Sequence, residues 1–294
     1  MRRGGDMMKQ AILVTGATGN VGQYVVKYLD NRGEAVVAAG SRVDELQRRF
    51  PTAAQHVELD FENPDTYAAA LDGVDRVFLM RPPQIGDADV FIPFIEAMAE
   101  RSIRLVAFLS LMGVETNPFP PHYKIEKYIE QSGIPYVHIR PGFFMQNVTG
   151  VHAEEIRQDD KIFIPAGNSQ VSFIDAEDIG KAIAHVLADP ESHRNTAYTL
   201  TGPEALDYVD IANQLTILTG RRITYAKPSM LRYRSHYIQE RGLDSAYVNV
   251  TMALYLMTRL GTAKAVTDDF ERLTGEKPRS FAAFAHDHVD AFQR

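Results

Sequence analysis

Residues 11 to 22 read Ala-Ile-Leu-Val-Thr-Gly-Ala-Thr-Gly-Asn-Val-Gly. Four apolar residues, Ala11 to Val14, run straight into glycines at Gly16, Gly19 and Gly22, and Val21, Val25, Val26 and Leu29 then recur at helical spacing. The pattern predicts a buried strand, a tight turn and a helix. A turn this sharp needs Gly16, Gly19 lets a backbone approach a diphosphate that a Cβ would block, and Gly22 lets the helix pack close against the strand. The helix N-terminus then offers unpaired N–H groups and a positive dipole end to phosphates. Glycines also mark ordinary turns; it is the placement between an apolar strand and an amphipathic helix that points to a dinucleotide. Gly16, Thr18, Gly19, Asn20 and Val21 are the expected cradle.

With 294 residues, 45% hydrophobic and 23% charged, the chain can bury a substantial core. One large domain, or one and a half, is expected. There is no cysteine, which excludes disulfides, thiol catalysis and Cys-ligated zinc. A formal charge of −7 argues against a general nucleic-acid binder, because phosphate neutralisation needs a basic surface. No apolar run approaches the ~20 residues of a membrane span, and the opening Met-Arg-Arg-Gly-Gly-Asp-Met-Met lacks the apolar stretch of a signal peptide. The expectations are therefore no membrane, no direct nucleic-acid partner and a cytoplasmic location. Residues 1 to 8 read as a loose extension, with Met7 or Met8 as alternative starts.

Further strands are expected at Glu34 to Gly40, His56 to Leu59, Arg76 to Met80, Arg104 to Leu109 and Tyr136 to Arg140, with helices between them. This alternation, largely apolar, predicts a doubly wound parallel sheet with helices on both faces. The expected α/β architecture is a Rossmann-type core over residues 9–147 with a small carboxyl-terminal α/β lobe over 148–294, of which about 171–204 returns to the core. Strand ends line the nucleotide crevice of such a sheet. The second strand ends at Ser41-Arg42, a small residue followed by Arg, which suits the 2′-phosphate of NADP(H) better than the ribose hydroxyls of NAD(H). Arg48 and Arg49 lie farther along the next helix, and a solvated helix start is the plainer account of Arg42. Asp60-Phe61, Leu79-Met80-Arg81, Ser110, Pro141 and Phe143 occupy the other strand exits. Asp60 also suits a helix cap, and Pro82-Pro83 prevents the fourth strand from continuing.

Thr15-Gly16-Ala17-Thr18-Gly19-x-x-Gly22 resembles the wording of the short-chain dehydrogenase/reductase superfamily, extended or atypical branch. The stretches Glu126 to Asn147, Phe173 to Ile179, Tyr198 to Glu204 and Thr274 to Phe281 are similar to the NmrA-like family of atypical short-chain reductases. The likeness covers most of residues 10 to 292 and is weakest from Met230 to Gly261. That family includes quinone reductases and redox-sensing regulators. The resemblance implies that Asp60 faces the adenine amino group.

In short-chain reductases the proton donor is the Tyr of Tyr-x-x-x-Lys, with an upstream Ser. A literal match is present at Tyr123 and Lys127, with Ser110 upstream. Counted back from the turn Ser132 to Pro135, however, the superfamily's Lys falls on His122 and its Tyr on Pro118. His122, with Glu126 at i+4, looks more like the quinone reductases that lack the tyrosine; such a residue can bond the ribose or steer the acceptor. A surface His paired with Glu is the plainer account. The expected function is NADPH-dependent reduction of quinones or related small carbonyl compounds. The alternatives are a non-catalytic NADP(H)-sensing regulator and a nucleotide-sugar epimerase or dehydratase. A reductase needs an acceptor cavity, expected at Met80, Pro82, Ser110, Leu111, Phe143 and Phe144, with Thr116 to Pro121 as a wall. Tyr233, Tyr237, Tyr247, Met252, Tyr255 and Met257 form either a helical cap over it or plain core. His286 and His288 lack the spacing of helix-face ligands and read as surface residues, so no metal is expected. A homodimer is left open.

Overall fold

The computed structural model describes residues 10–294, so the expected extension at residues 1–8 lies outside the described residues. Strand β1 is Ala11–Val14, and helix α1 is Gly22–Asn31, burying Gly22, Val25, Val26 and Leu29 as the 3.6-residue period requires. The alternation continues through β2 (Val36–Gly40), α2 (Val43–Arg49), β3 (Gln55–Glu58), α3 (Tyr67–Ala70), β4 (Val74–Met80), α4 (Ile92–Ala99), β5 (Leu105–Leu109), α5 (Pro121–Ser132) and β6 (Tyr136–Pro141). The helical segment after β4 starts as a 3₁₀ turn, Ala88–Phe91, capped by Asp87. Pro93 in the first turn of α4 has no N–H for an earlier carbonyl, so the regular helix begins there.

Short elements follow: β7 (Phe143–Phe144), α6 (Gln146–Thr149), α7 (Ala153–Asp159), β8 (Lys161–Ile162) and β9 (Phe173–Ile174). Then come α8 (Ala176–Ala188), β10 (Thr196–Leu200), α9 (Tyr208–Thr219), β11 (Thr224–Tyr225), α10 (Met230–Ser235), α11 (Ser245–Arg259), α12 (Asp269–Thr274) and α13 (Phe281–Asp287). The chain forms two compact units. One is the described chain up to Arg140 together with Glu177–Thr199; the other is Pro141–Ala176 together with Leu200–Arg294.

The first unit carries a seven-stranded sheet in the order β10-β6-β5-β4-β1-β2-β3. The pairs from β6 to β3 are all parallel, as in a doubly wound α/β fold. The order reverses between β1 and β4, so the loops after these two strands border a topological switch point, where such sheets bind ligands. Two charges, Asp75 and Arg76, interrupt the apolar run of β4. Arg76 is 6% exposed and fully engaged, with Asp75 at 2.9 Å, Glu34 at 3.2 Å and the carbonyl of Leu187 in α8 at 2.9 Å. A buried cation with this many partners is an anchor for the returning helix.

The second unit packs Phe173, Tyr208, Tyr233, Tyr237, Tyr255, Phe281, Phe284 and Phe292 into its own core, flanked by the small parallel pairs β7 with β9 and β8 with β11. Tyr233, Tyr237 and Tyr255 from the expected tyrosine-rich stretch are therefore core residues, whereas Tyr247 is 44% exposed. At the centre His152 is 1% exposed, with Nδ1 at 2.8 Å from the Tyr237 hydroxyl and Nε2 at 2.7 Å from that of Tyr255. Tyr237 donates onward to Glu155 at 3.2 Å, and Glu155 also takes His236 at 2.8 Å and Arg241 at 2.5 Å. Burial pushes the His152 imidazole down to about 4, and it pushes the Tyr237 and Tyr255 hydroxyls well above their usual range. His286 is exposed as expected, but His288 is not a free surface residue. Its ring stacks on Phe284 at 4.3 Å, and its Nδ1 lies 2.9 Å from the Phe284 carbonyl.

Candidate active site

The loop after β1 is pinned on three sides. Thr15 Oγ1 accepts the Met80 N–H at 3.0 Å from β4, the Ala17 N–H donates to the Ala39 carbonyl of β2 at 3.1 Å, and the Gly19 N–H donates to the Gly16 carbonyl at 2.9 Å. Gly16 has φ +58°, and a Cβ there would lie 2.7 Å from Met80 Sδ, so no side chain fits. A Cβ on Gly22 would sit 2.2 Å from the Gly16 carbonyl oxygen. The close approach that Gly22 permits is thus to the loop itself, not to the strand. The loop leads into the first turn of α1, where the Gln23 and Tyr24 N–H groups donate to the carbonyls of Gly19 at 3.3 Å and Val21 at 3.0 Å, and the positive end of the helix dipole is what remains for an anion. Val21 is buried, so only its backbone can serve the cradle, while Thr18 and Gly19 are half-buried and Asn20 is exposed. A tight glycine loop with no room for a Cβ at Gly16 or Gly22, at the switch point of the sheet, fits a dinucleotide diphosphate.

At the end of β2, Ser41 is exposed and Arg42 pairs with Glu45 one helical turn on. Arg49 reaches back from α2 to the glycine loop, donating to the Thr18 carbonyl at 3.0 Å and to Gln23 Oε1 at 2.9 Å. Arg42, Glu45, Arg48 and Arg49 line an open hollow of about 390 Å³. The part played by Glu45 was not anticipated, although its spacing from Arg42 and Arg49, i+3 and i−4, is a legible sign of pairing.

The other strand exits differ in what they can offer. Asp60 is exposed at the carboxyl end of β3, and its Oδ1 accepts the Glu62 N–H at 2.9 Å, which is the turn-capping geometry. The Phe61 side chain is not available to a nucleotide. Its ring packs on Phe91 at 4.8 Å and Phe94 at 5.3 Å, and its carbonyl accepts the Tyr67 hydroxyl at 2.6 Å. Leu79 is likewise fully buried in the core, whereas Met80 is half-buried at the Gly16 turn. Pro141 and Phe143 belong to the second unit, where Phe143 pairs with Phe173 and its ring lies 6.2 Å from that of Tyr255.

Beyond β4 and β5 lies a group of buried polar residues. Arg81 donates through Nη1 to the carbonyls of Pro82 at 3.0 Å and Ile85 at 2.5 Å, which fixes the Pro-rich exit, and its Nε lies 3.5 Å from His122 Nε2. His122, in the first turn of α5, is 8% exposed and its Nδ1 has no partner. Burial first, then the Arg81 cation, pushes the imidazole down to about 3, so it is neutral at physiological pH. Ser110, just past β5, is 1% exposed and its Oγ has no well-formed hydrogen bond, although it helps hold the nearby Glu126 carboxyl in its charged form.

The expected surface pair of His122 with Glu126 does not exist. Glu126 is 1% exposed and takes Arg140 bidentately at 3.0 and 2.7 Å. Burial alone would raise its carboxyl, and the Arg140 hydrogen bonds reverse that and hold it below the usual range. Oxygens of Glu126 and Glu130 and a nitrogen of His138 lie within 4.8 Å of one another, a metal-like spacing. Arg140 and Lys127 already neutralise those two carboxylates. The Tyr-x-x-x-Lys pair is formed as a cation over a ring, Lys127 Nζ standing 5.8 Å from the Tyr123 centroid, while the ammonium bonds Glu130 at 2.7 Å.

An NAD(P)H azoreductase of Xenophilus azovorans is 30% identical over 290 residues, covering 96% of this chain and 99% of that one. Two solved structures share the fold. An NADPH-dependent quinone oxidoreductase from Escherichia coli, in complex with NADPH, superposes with a TM-score of 0.87 at 22% identity over 95% of this chain and 99% of that one. A triphenylmethane reductase of Citrobacter sp., in complex with NADP(H), gives 0.83 at 19% identity, also over 95% and 99%. Among the described residues no helix is long and apolar enough to cross a membrane. The NmrA-like family profile matches residues 8–238, and the chain belongs to the NmrA-like family.

Proposed function

We propose that this protein is an NADPH-dependent reductase of quinones and related flat, conjugated acceptors. The observation that carries the reading is His122 Nδ1, a buried polar atom without a protein partner, in a ring whose Nε2 lies 3.5 Å from Arg81 Nε at the carboxyl edge of the sheet. A buried polar group left unpaired costs about 1–3 kcal/mol, and a protein that only sensed its nucleotide would have no use for that cost away from the nucleotide. An acceptor oxygen beside this ring would satisfy it. The likeness to an NAD(P)H azoreductase over nearly the whole of both chains supports an acceptor that is aromatic and electron-poor.

The residues fit the cofactor in separate parts. The loop from Gly16 to Val21 and the first turn of α1 would hold the diphosphate, and Arg42 would hold the 2′-phosphate. Bound NADPH supplies the hydride. The neutral His122 ring and the Ser110 hydroxyl orient the acceptor by hydrogen bonds, and the Arg81 cation favours the negative charge that develops on its oxygen. Glu126, held charged by Arg140, cannot donate a proton. None is needed from the protein, because a hydroquinone anion is delocalised and takes its proton from water, unlike the alkoxide from a sugar or simple ketone. Adding a small quinone to the purified protein with NADPH tests the reading. Steady NADPH oxidation is expected; binding of NADPH with no turnover of quinones, azo compounds or aldehydes would leave a redox sensor as the better account.

A further inference from the structure

We infer that Glu45 sets how strongly the protein prefers a 2′-phosphorylated cofactor, by occupying the arginines that such a phosphate would use. The inference rests on the dinucleotide reading above. Glu45 and Arg49 stand at i and i+4 on one face of α2, and Arg42 is the extended residue that caps its start. Glu45 divides its carboxylate between the two arginines: Oε2 pairs with Arg42, and Oε1 lies 3.6 Å from Arg49 Nη1. Its side chain is 20% exposed against 72% for Arg42, so the carboxylate sits deeper in the hollow than the guanidinium it binds.

The two arginines are not equivalent. Arg49 is committed to the glycine loop through Thr18 and Gln23 and acts as a positioning residue. Arg42 is tied by Glu45 and is otherwise mostly in solvent, which makes it the member free to change partner. Arg48, the third cation of the hollow, is 75% exposed and faces Asp44 at 3.7 Å. A phosphate dianion entering the hollow must take Arg42 from Glu45 and then remain beside a fixed negative charge. A cofactor without that phosphate meets neither obstacle. Glu45 therefore moderates the preference for NADPH over NADH without abolishing it.

The test is a titration of the full chain with 2′,5′-ADP, ADP, NADPH and NADH. From the strength of an exposed ion pair and the repulsion between nearby anions, Glu45→Gln is expected to tighten 2′,5′-ADP and NADPH roughly five- to tenfold. ADP and NADH should stay within about twofold, since the phosphate contact is what changes. In an Arg42→Ala background the same change should shift 2′,5′-ADP by a clearly smaller factor, because the competition for Arg42 is gone and only the repulsion by Glu45 remains to be relieved. Unchanged or weaker 2′,5′-ADP binding in Glu45→Gln, an equal gain for ADP, or a gain undiminished by the loss of Arg42 would each overturn the inference while leaving the reductase reading intact. Failure of the unsubstituted protein to bind any of the four would overturn the dinucleotide reading and the inference together.

Discussion

Two buried histidines are built on opposite plans. His122 in the first unit and His152 in the second are both nearly inaccessible, and burial holds both neutral, at about 3 and about 4. Both ring nitrogens of His152 have partners, and its neighbours pass the hydrogen bonding on to Glu155, His236 and Arg241. His122 has one nitrogen without a partner and the other 3.5 Å from an arginine that binds carbonyls elsewhere. Burial and a displaced pKa are therefore poor markers of a working site, since structural networks produce them equally well. The discriminating feature is whether the polar atoms are satisfied, because a satisfied network stabilises and an open one costs stability for as long as it persists.

The largest effect that could break this contrast is expected from His152→Phe. It leaves the Tyr237 and Tyr255 hydroxyls without their partner, a loss of about 3–5 kcal/mol in urea unfolding, with turnover of the folded fraction unchanged. A loss below about 1 kcal/mol would mean that the second network is not structural.

Acid should expose the same burden. Both imidazoles titrate lower in the folded chain than the ordinary 6.5, so the unfolded chain takes up protons first. Stability is then complete above about pH 6.5 and falls as pH drops toward 4, by about 3 kcal/mol from His152 alone at 1.36 kcal/mol per pKa unit. A flat stability profile between pH 7 and 5 would contradict the burial of both rings. At the nucleotide end, Arg42→Ala is expected to weaken NADPH about ten- to a hundredfold, the strength of a charge-assisted contact, and to leave NADH alone. Equal affinities of the unsubstituted protein for the two cofactors would remove the 2′-phosphate contact from the account. The smallest effect is expected from Tyr123→Phe, within about twofold in quinone turnover; a fall of about 10²–10⁴ would make that hydroxyl the general acid and displace His122 from the site.

The part of the molecule that was legible in its residues is the part governed by local rules. The strand, glycine turn and helix from Ala11 to Asn31 follow from apolar periodicity and from positions where no Cβ fits, and the alternation of strands and helices to Pro141 follows from the same periods. The acceptor side was legible only as a set of positions. That His122 is buried depends on Phe108 arriving from β5 and Arg81 from the exit of β4, and Glu126 finds Arg140 rather than its helix neighbour because Arg140 enters on β6. His152, Tyr237 and Tyr255 lie 85 and 103 positions apart from first to second and first to third, and no local pattern links them. Phe61 and Leu79 turn their side chains into the core, so only their backbone could serve a nucleotide, and this was not legible for the converse reason. A strand exit is a backbone position, and whether its side chain turns to the crevice or to the core is decided by the pleat and by what packs beneath.

The most direct test of the contrast is His122→Phe, with quinone-dependent NADPH oxidation and thermal unfolding measured on one preparation. Replacing an unsatisfied buried imidazole by a hydrocarbon ring removes a cost and a function together. The account predicts turnover reduced at least about tenfold, NADPH affinity within a few fold, and a melting temperature unchanged or raised. A lowered melting temperature with turnover intact would show that His122, like His152, only holds the fold together.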